Sequence, residues 1–357
     1  MSEESFLIPV SDITRGMVLA KDVVSQDGMV LALKGAVLDN VSIRKLRAFG
    51  IEYVTIKPAV PKKLIKAKII PKIVEKVEFI SFETVYRQSA DEYKSLVQDI
   101  SAGKQVDISE LYRLTDGIVQ SLNIKSDAFT FINYISQAEG HIFPHCVNVS
   151  ILCNIFANWL GLNPKAVMEL SVAGLLHDIG MVEISSNIIN KPGPLTKNEL
   201  NEIFDHPTDG YRMIMNQNMP NPVKAAVLLH HERMDGSGYP HKVDSIKISP
   251  YAKILSICDT YDAMTADRPY RPKMAPFKAI RELETGLYGV LDTRYLLIFL
   301  QNIAYNYQGT WVQLSDGRPA EIMFIHRLNI SKPIVRTAED EIIDLASRPD
   351  LEIDSLI

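Results

Sequence analysis

The chain has 357 residues, 46% hydrophobic and 23% charged, enough for a well-buried core and for two or three domains. A formal net charge of −5 argues against broad attraction to polymeric nucleic acid or to an anionic membrane surface. The cysteines Cys146, Cys153 and Cys258 lack C-x-x-C spacing, the N-terminus lacks a leader pattern, and no run reaches the ~18 apolar residues of a membrane span; a reduced, cytoplasmic protein is expected.

Residues 5–57 read as a small α+β module. Phe6–Val10, Met17–Val23 and Met29–Leu33 are β-prone runs separated by turn signals at Arg15-Gly16 and Asp27-Gly28. A helix over Val41–Phe49, ended by Gly50, precedes a return strand over Ile51–Ile56. No catalytic constellation occurs here, and a docking or regulatory role is expected. Residues 58–78 combine Pro58, Pro61 and Pro71 with six lysines and no interleaved aromatics, the composition of a solvated linker rather than of a nucleic-acid contact.

From about residue 79 the pattern is helical. Asp107 with Glu110 forms a capping box for a helix over Ile108–Leu122. The helix that follows Glu139-Gly140 carries His141 and His145, four residues apart and so on one face, with Pro144 in its first turn. A helix over Lys165–Ile179 delivers His177 and Asp178. Thr196 with Glu199 makes a second capping box, for a helix ending near His206. A helix over Pro222–His231 leads into the glycine-rich loop Glu232–Pro240. Ser249 and Pro250 open a helix over Tyr251–Thr265 that presents Asp259. Helices over Pro276–Leu287 and Thr293–Tyr307 follow, and Thr310–Leu314 with Ala320–Phe324 flank Asp316-Gly317 as a hairpin.

Seven of the eight histidines fall between His141 and His241, a clustering that packing alone would not produce. Each of these residues taken singly reads as an ordinary packing imidazole or surface carboxylate. As a set, His145, His177, Asp178, His206, His230, His231 and Asp259 read as ligands for divalent iron, manganese, zinc or nickel. Asp178 has two oxygens and could bridge two ions, which would clamp a phosphodiester for in-line attack.

The sequence resembles the HD-GYP domain, the branch of the HD superfamily that hydrolyses cyclic di-GMP. The match is carried by His145-Cys-Val-Asn-Val149, Gly174-Leu-Leu-His-Asp-Ile-Gly180 and Lys191-Pro-Gly-Pro-Leu-Thr196. It continues through His206, the run His230 to Pro240, Asp259 and Asp267-Arg-Pro-Tyr-Arg271, spanning roughly residues 130–305. The resemblance implies a mainly α fold: a helical bundle with a metal centre, a small α+β module before it and a short β extension after it. It makes the seven residues above the metal ligands, places Gly238, Tyr239 and Pro240 beside the substrate, and has Arg268 and Arg271 hold phosphate.

Two positions depart from the family pattern. Met181 stands where a lysine usually follows His-Asp-Ile-Gly. If that lysine stabilises the transition state, its loss would cost a factor of order ~10²–10³. His141 stands where members with three metals carry glutamate, and it is a candidate ligand for a third ion beside the safer count of two. Asp262, one turn after Asp259, can orient a ligand.

The expected organisation is an accessory module at 1–57, a linker and leading helices at 58–125, the metal-dependent phosphohydrolase domain at 126–308 and a β extension at 309–357. The expected activity is hydrolysis of cyclic di-GMP to pGpG or GMP by a metal-bridging hydroxide, with iron or manganese. Two alternatives stand beside it: a slow or inactive cyclic di-GMP sensor, owing to Met181, and a phosphohydrolase of another nucleotide. A homodimer contact or a signalling partner would use residues 5–57.

Overall fold

The structure, a computed structural model, describes residues 6–10, 17–25, 30–36, 38, 40–56, 77–121, 142–189, 191, 193–266 and 274–357. The chain divides into two compact units, Met1–Ile70 and Pro71–Ile357.

In the first unit the elements are β1 (Phe6–Pro9), β2 (Val23–Val24), β3 (Val30–Ala32), α1 (Asn40–Ala48) and β4 (Tyr53–Ile56). β1 pairs antiparallel with β4, and β2 with β3. The β-prone run at Met17–Val23 contributes less strand than its composition suggests: single bridges at Val18 and Leu19, the latter to Ile56, and the start of β2. Gly50 turns the chain out of α1 with φ +69, a left-handed conformation that glycine adopts without steric cost. Leu19, Leu38, Leu46 and Val54 form a small core of this unit.

The second unit is a helical bundle closed by a sheet. Its helices are α2 (Val77–Ser101), α3 (Ile108–Ser121), α4 (Ile142–Trp159), α5 (Pro164–Leu176), the short α6 (Ser186–Ile189), α7 (Lys197–Phe204), α8 (His206–Ile214), α9 (Asn221–Leu229), α10 (Pro250–Thr265), α11 (Pro276–Gly286) and α12 (Thr293–Asn306). A 3₁₀ turn, Ile179–Glu183, follows α5. Strands β5 (Trp311–Leu314), β6 (Pro319–Phe324), β7 (Ile334–Thr337), β8 (Ile342–Asp344) and β9 (Ile353–Leu356) form one antiparallel sheet in the order β8-β7-β6-β5-β9. The expected hairpin is therefore its β5–β6 pair. No helix among the described residues is long and apolar enough to cross a membrane.

α4, α5 and α10 are buried on almost every side, which is why they are apolar all round rather than striped. One continuous hydrophobic core runs from Phe82 in α2 to Ile353 in β9, so the leading helices and the sheet share it with the middle of the bundle. α11 is tied to the segments around the sheet by polar contacts. Lys278 pairs with Asp354 at 2.7 Å, Arg281 pairs with Glu352, and the Glu284 carboxylate accepts from the backbone of Ile330 and Ser331 at 2.7 and 3.1 Å.

Two stretches differ from expectation, and both matter for the site. The helix expected over Lys165–Ile179 stops at Leu176, leaving His177 and Asp178 in a turn. The helix expected to end near His206 does end there, at Phe204, but a further helix that was not expected, α8, begins at His206 after Asp205. Pro207 explains the break, because its ring would clash with the Ile203 carbonyl of a continuing α7. The Thr196–Glu199 capping box is present as expected, and Lys191 reaches the Glu199 carboxylate at 2.7 and 2.9 Å.

α8 crosses the turn after Asp178 at Gly180. A Cβ there would lie 2.1 Å from the His206 carbonyl oxygen and 2.6 Å from the Gly210 nitrogen, both backbone. Gly180→Ala should therefore destabilise the second unit by about 3 kcal/mol or more. Gly117, inside α3, has nothing near its would-be Cβ, so Gly117→Ala should stabilise by about 1 kcal/mol. Denaturant unfolding of both variants checks the contrast. Equal, small effects would contradict the crossing.

Candidate metal centre

His177 closes α5 with helical angles (φ −56, ψ −40), while Asp178 steps to φ −98, ψ 15, the sparsely populated bridge region. On an unbroken helix neighbouring side chains diverge by about 100°. The change of backbone at Asp178 lets both side chains reach one cavity.

Three of the histidines share one local device. His177 Nδ1 donates to the Gly174 carbonyl at 2.8 Å, His206 Nδ1 to Ile203 at 2.7 Å and His230 Nδ1 to Val227 at 2.7 Å. Each acceptor lies three residues back, in the last turn of α5, α7 or α9, where carbonyls lack helical partners. His145, on α4, is held differently: its Nδ1 lies 2.7 Å from Oδ2 of Asp262, a residue 1% exposed. These acceptors demand the Nδ1–H tautomer, which leaves every Nε2 as an inward-facing lone pair.

The lone pairs converge on two carboxylates. Asp178 Oδ1 is 3.1 Å from His206 Nε2, 3.5 Å from His177 Nε2 and 3.8 Å from His230 Nε2, while Oδ2 is 3.8 Å from His145 Nε2. Asp259 Oδ1 is 3.2 Å from His145 Nε2 and 3.8 Å from His177 Nε2. The donors fall into two groups, His145–His177–Asp259 and Asp178–His206–His230–His231, with the atoms of each group within 4.8 Å of one another. All seven expected ligands are thus brought together.

The donor set fits divalent cations. His177 Nε2 is buried with no hydrogen-bond partner, and His206 Nε2 faces His230 Nε2 at 3.3 Å, acceptor against acceptor. The C-terminal ends of α5, α7 and α9 add partial negative charge at the cavity wall. Burial pushes the His177 imidazole down to about 4, and burial, then His230, pushes His231 well below its ordinary value. Burial alone would raise the Asp178 carboxyl. The imidazoles that face it, His177 first and then His206 and His230, outweigh that and hold it well below the carboxylate range. Asp259 is likewise lowered against the pull of burial, chiefly by His145. Neutral imidazole and ionised carboxylate are the metal-binding forms.

The glycine-rich loop closes one side. Tyr239 stacks on His231 (centroids 4.6 Å, 24°) and on Phe204 (4.4 Å, 29°), so its ring faces are taken by protein and its edge and hydroxyl remain for a ligand. Phe204 went unnoticed in the sequence. Its signal is an aromatic at a helix end, two residues before a candidate ligand. Gly238 acts by close approach: a Cβ there would lie 2.4 Å from the Arg233 nitrogen and 2.5 Å from the His231 oxygen. The Glu232 carboxylate accepts from the backbone of His241 and Val243 at 2.7 and 3.2 Å, and Arg233 bonds the Ser256 hydroxyl, so these charges shape the loop. Met181 follows Gly180 in the 3₁₀ turn and is half-buried. His141, Arg268 and Arg271 lie outside the described residues.

Asp262→Ala removes the acceptor that orients His145. It should weaken metal binding by about 10–100-fold while the fold persists, as read by chelator competition. Unchanged affinity would show that His145 needs no such support.

Comparison with known proteins agrees with this arrangement. Residues 130–288 match the family model of the HD domain. A cyclic di-GMP phosphodiesterase of Pseudomonas aeruginosa is 32% identical over 243 residues, 68% of this chain and 58% of that protein. The cyclic di-GMP phosphodiesterase PdeB of Borreliella burgdorferi is 27% identical, covering 74% of each chain. A 3′3′-cGAMP-specific phosphodiesterase of Vibrio cholerae is 32% identical over 52% of this chain and 43% of its own. The chain thus spans little more than half the length of the Pseudomonas relative and less than half that of the Vibrio one. A solved HD-GYP-type protein of Bdellovibrio bacteriovorus shares the fold, with TM-score 0.52 and 16% identity over 83% of this chain and 98% of that one. The segment that matches the HD domain is thus the one folded around this histidine–aspartate centre.

Proposed function

We propose that the chain is a metal-dependent phosphodiesterase that hydrolyses cyclic di-GMP to pGpG and, after a second cut, to GMP, with residues 126–308 as its catalytic domain. One observation carries the reading: the Asp178 carboxylate sits between the two donor groups, one oxygen toward His177, His206 and His230 and the other toward His145. Two divalent ions held by those groups would supply a hydroxide nucleophile near neutral pH and neutralise charge building on the phosphate. A nitrogen and oxygen donor set without sulfur suits iron or manganese.

The protein's own groups do the rest. His145, His177 and Asp259 on one side and His206, His230 and His231 on the other fix where the phosphate docks. The Tyr239 hydroxyl and ring edge, with burial pushing the hydroxyl's ionisation upward, offer a neutral hydrogen-bond donor at the rim. Arg268 and Arg271, matching the family's phosphate-holding positions, supply fork-shaped cationic donors in the segment after α10. The unit Met1–Ile70 shows no metal-ligating cluster among its described residues and is read as the regulatory or docking part.

The test is anaerobic incubation of metal-analysed protein with cyclic di-GMP, and in parallel with 3′3′-cGAMP, after adding Fe²⁺ or Mn²⁺. The expected result is pGpG or GMP from cyclic di-GMP, and no product from the variant with His177 and Asp178 both replaced by alanine. Intact ligand co-eluting with metal-loaded protein would make the chain a sensor instead. Met181, a thioether where the motif carries lysine, is the feature that favours that second reading. Met181→Lys should raise turnover by about 10²-fold. No gain, at equal metal content, would show that a different group does the lysine's work.

A further inference from the structure

The aromatic stack beside the donor groups does not end at Tyr239. The Tyr239 ring lies on His231 at 4.6 Å and 24°, and the Phe204 ring lies on Tyr239 at 4.4 Å and 29°. Tyr239 therefore has protein on both faces. Phe204 has it on one face, and the residue is 36% exposed, so the face turned away from Tyr239 is open. The column leads from the cavity to a free aromatic face at its rim.

α7, which carries Phe204, does not use its apolar side to fill a core. None of its residues is buried, and Leu200 and Phe204, one turn apart on one face, are 39% and 36% exposed. The helix is nevertheless fixed at both ends. The Thr196–Glu199 capping box, with Lys191 on the Glu199 carboxylate, holds its start. At its end the Ile203 carbonyl, on the peptide that joins Ile203 to Phe204, receives the His206 ring at 2.7 Å. One peptide thus orients His206 and places the Phe204 ring. An open apolar face that is fixed in advance, beside a polar cavity, suits a flat ligand, because little ordering remains to be done on binding.

A cyclic dinucleotide is a ring of two phosphodiesters and two riboses bearing two purines. Its bases lie beyond the riboses, away from whichever phosphate the donor groups hold. Of the three rings in the column, Phe204 is the one with a face to give. We propose that this face is a stacking subsite for one purine base of the substrate, with Leu200 widening its apolar floor. The proposal rests on the function reading above and adds to it a binding residue on α7. Stacking tolerates any base, since every base has a π-face, so the subsite adds affinity for guanine and adenine alike and leaves the choice between them to other contacts.

The experiment compares the full-length chain with Phe204→Leu and Phe204→Tyr, loaded with Mn²⁺ to equal metal content, and measures kcat and KM for cyclic di-GMP. Leucine keeps apolar contact with Tyr239 but removes the ring. KM should rise about 10-fold, the scale of one base–aromatic stack. The change in kcat should stay within about 3-fold, because a base remote from the scissile bond is held equally in the ground and transition states. Phe204→Tyr keeps the face, and its KM should stay within about 3-fold of the parent. If cyclic di-GMP is bound but left intact, the same ratios are expected in Kd. An unchanged KM or Kd in Phe204→Leu overturns the subsite. So does a fall in kcat at constant KM, which would make Phe204 only a prop for Tyr239, or a Phe204→Tyr as weak as leucine. Variants that match a parent able to bind or cut cyclic di-GMP sink the subsite alone. A parent that neither binds nor cuts it sinks the function reading, and the subsite with it.

Discussion

Negative charge buried in the middle of an apolar bundle is the constraint on which the rest of this structure depends. Asp259 and Asp262 lie on α10, most of whose residues are buried, Asp178 follows the buried end of α5, and the ends of three helices add partial negative charge around them. Taking a carboxylate out of water costs several kcal/mol even after the protein relaxes. Imidazoles with their lone pairs turned inward do not cancel that charge. A divalent cation does, and the orphaned Nε2 of His177 marks where such a charge is wanted.

The bundle is built to keep those groups in place. Histidines at the ends of α5, α7 and α9 use one nitrogen to complete the last turn of a helix, so the hydrogen bond that stops the helix is also the one that aims the ligand. Asp262 performs the same service for His145 from one turn beyond Asp259. Close backbone crossings at Gly180 and Gly238 bring α8 and the glycine-rich loop against the cavity. The ties of α11 to Asp354, Glu352, Ile330 and Ser331 couple the sheet to the bundle.

Much of this was legible in the sequence, for identifiable reasons. The ligand set stood out because histidines and aspartates sit among apolar runs, where chemistry rather than solvation accounts for them. Thr196 with Glu199, and Ser249 with Pro250, announced their helices through capping, which is a local signal. What failed was local regularity at the site itself. Helical periodicity carried α5 past Leu176 and gave no sign of α8, whereas the real chain breaks after Leu176 and again at Asp205 to present His177, Asp178 and His206. Strands β7, β8 and β9 were missed because three- and four-residue segments carry too little alternation to read. The division of the ligands into two groups, and the packing role of Gly238, depend on contacts between elements distant in the chain.

Two cations sharing Asp178 would define this centre, and the most direct test locates them. Crystals of the full chain grown anaerobically with Mn²⁺ or Fe²⁺ would be measured at the absorption edge of the metal. The expected result is two anomalous peaks about 3.5–4 Å apart, one beside His145, His177 and Asp259, the other beside His206, His230 and His231, with the Asp178 carboxylate between them. No peak at this cavity, or a single peak that leaves one histidine group uncoordinated, would contradict the shared-carboxylate centre.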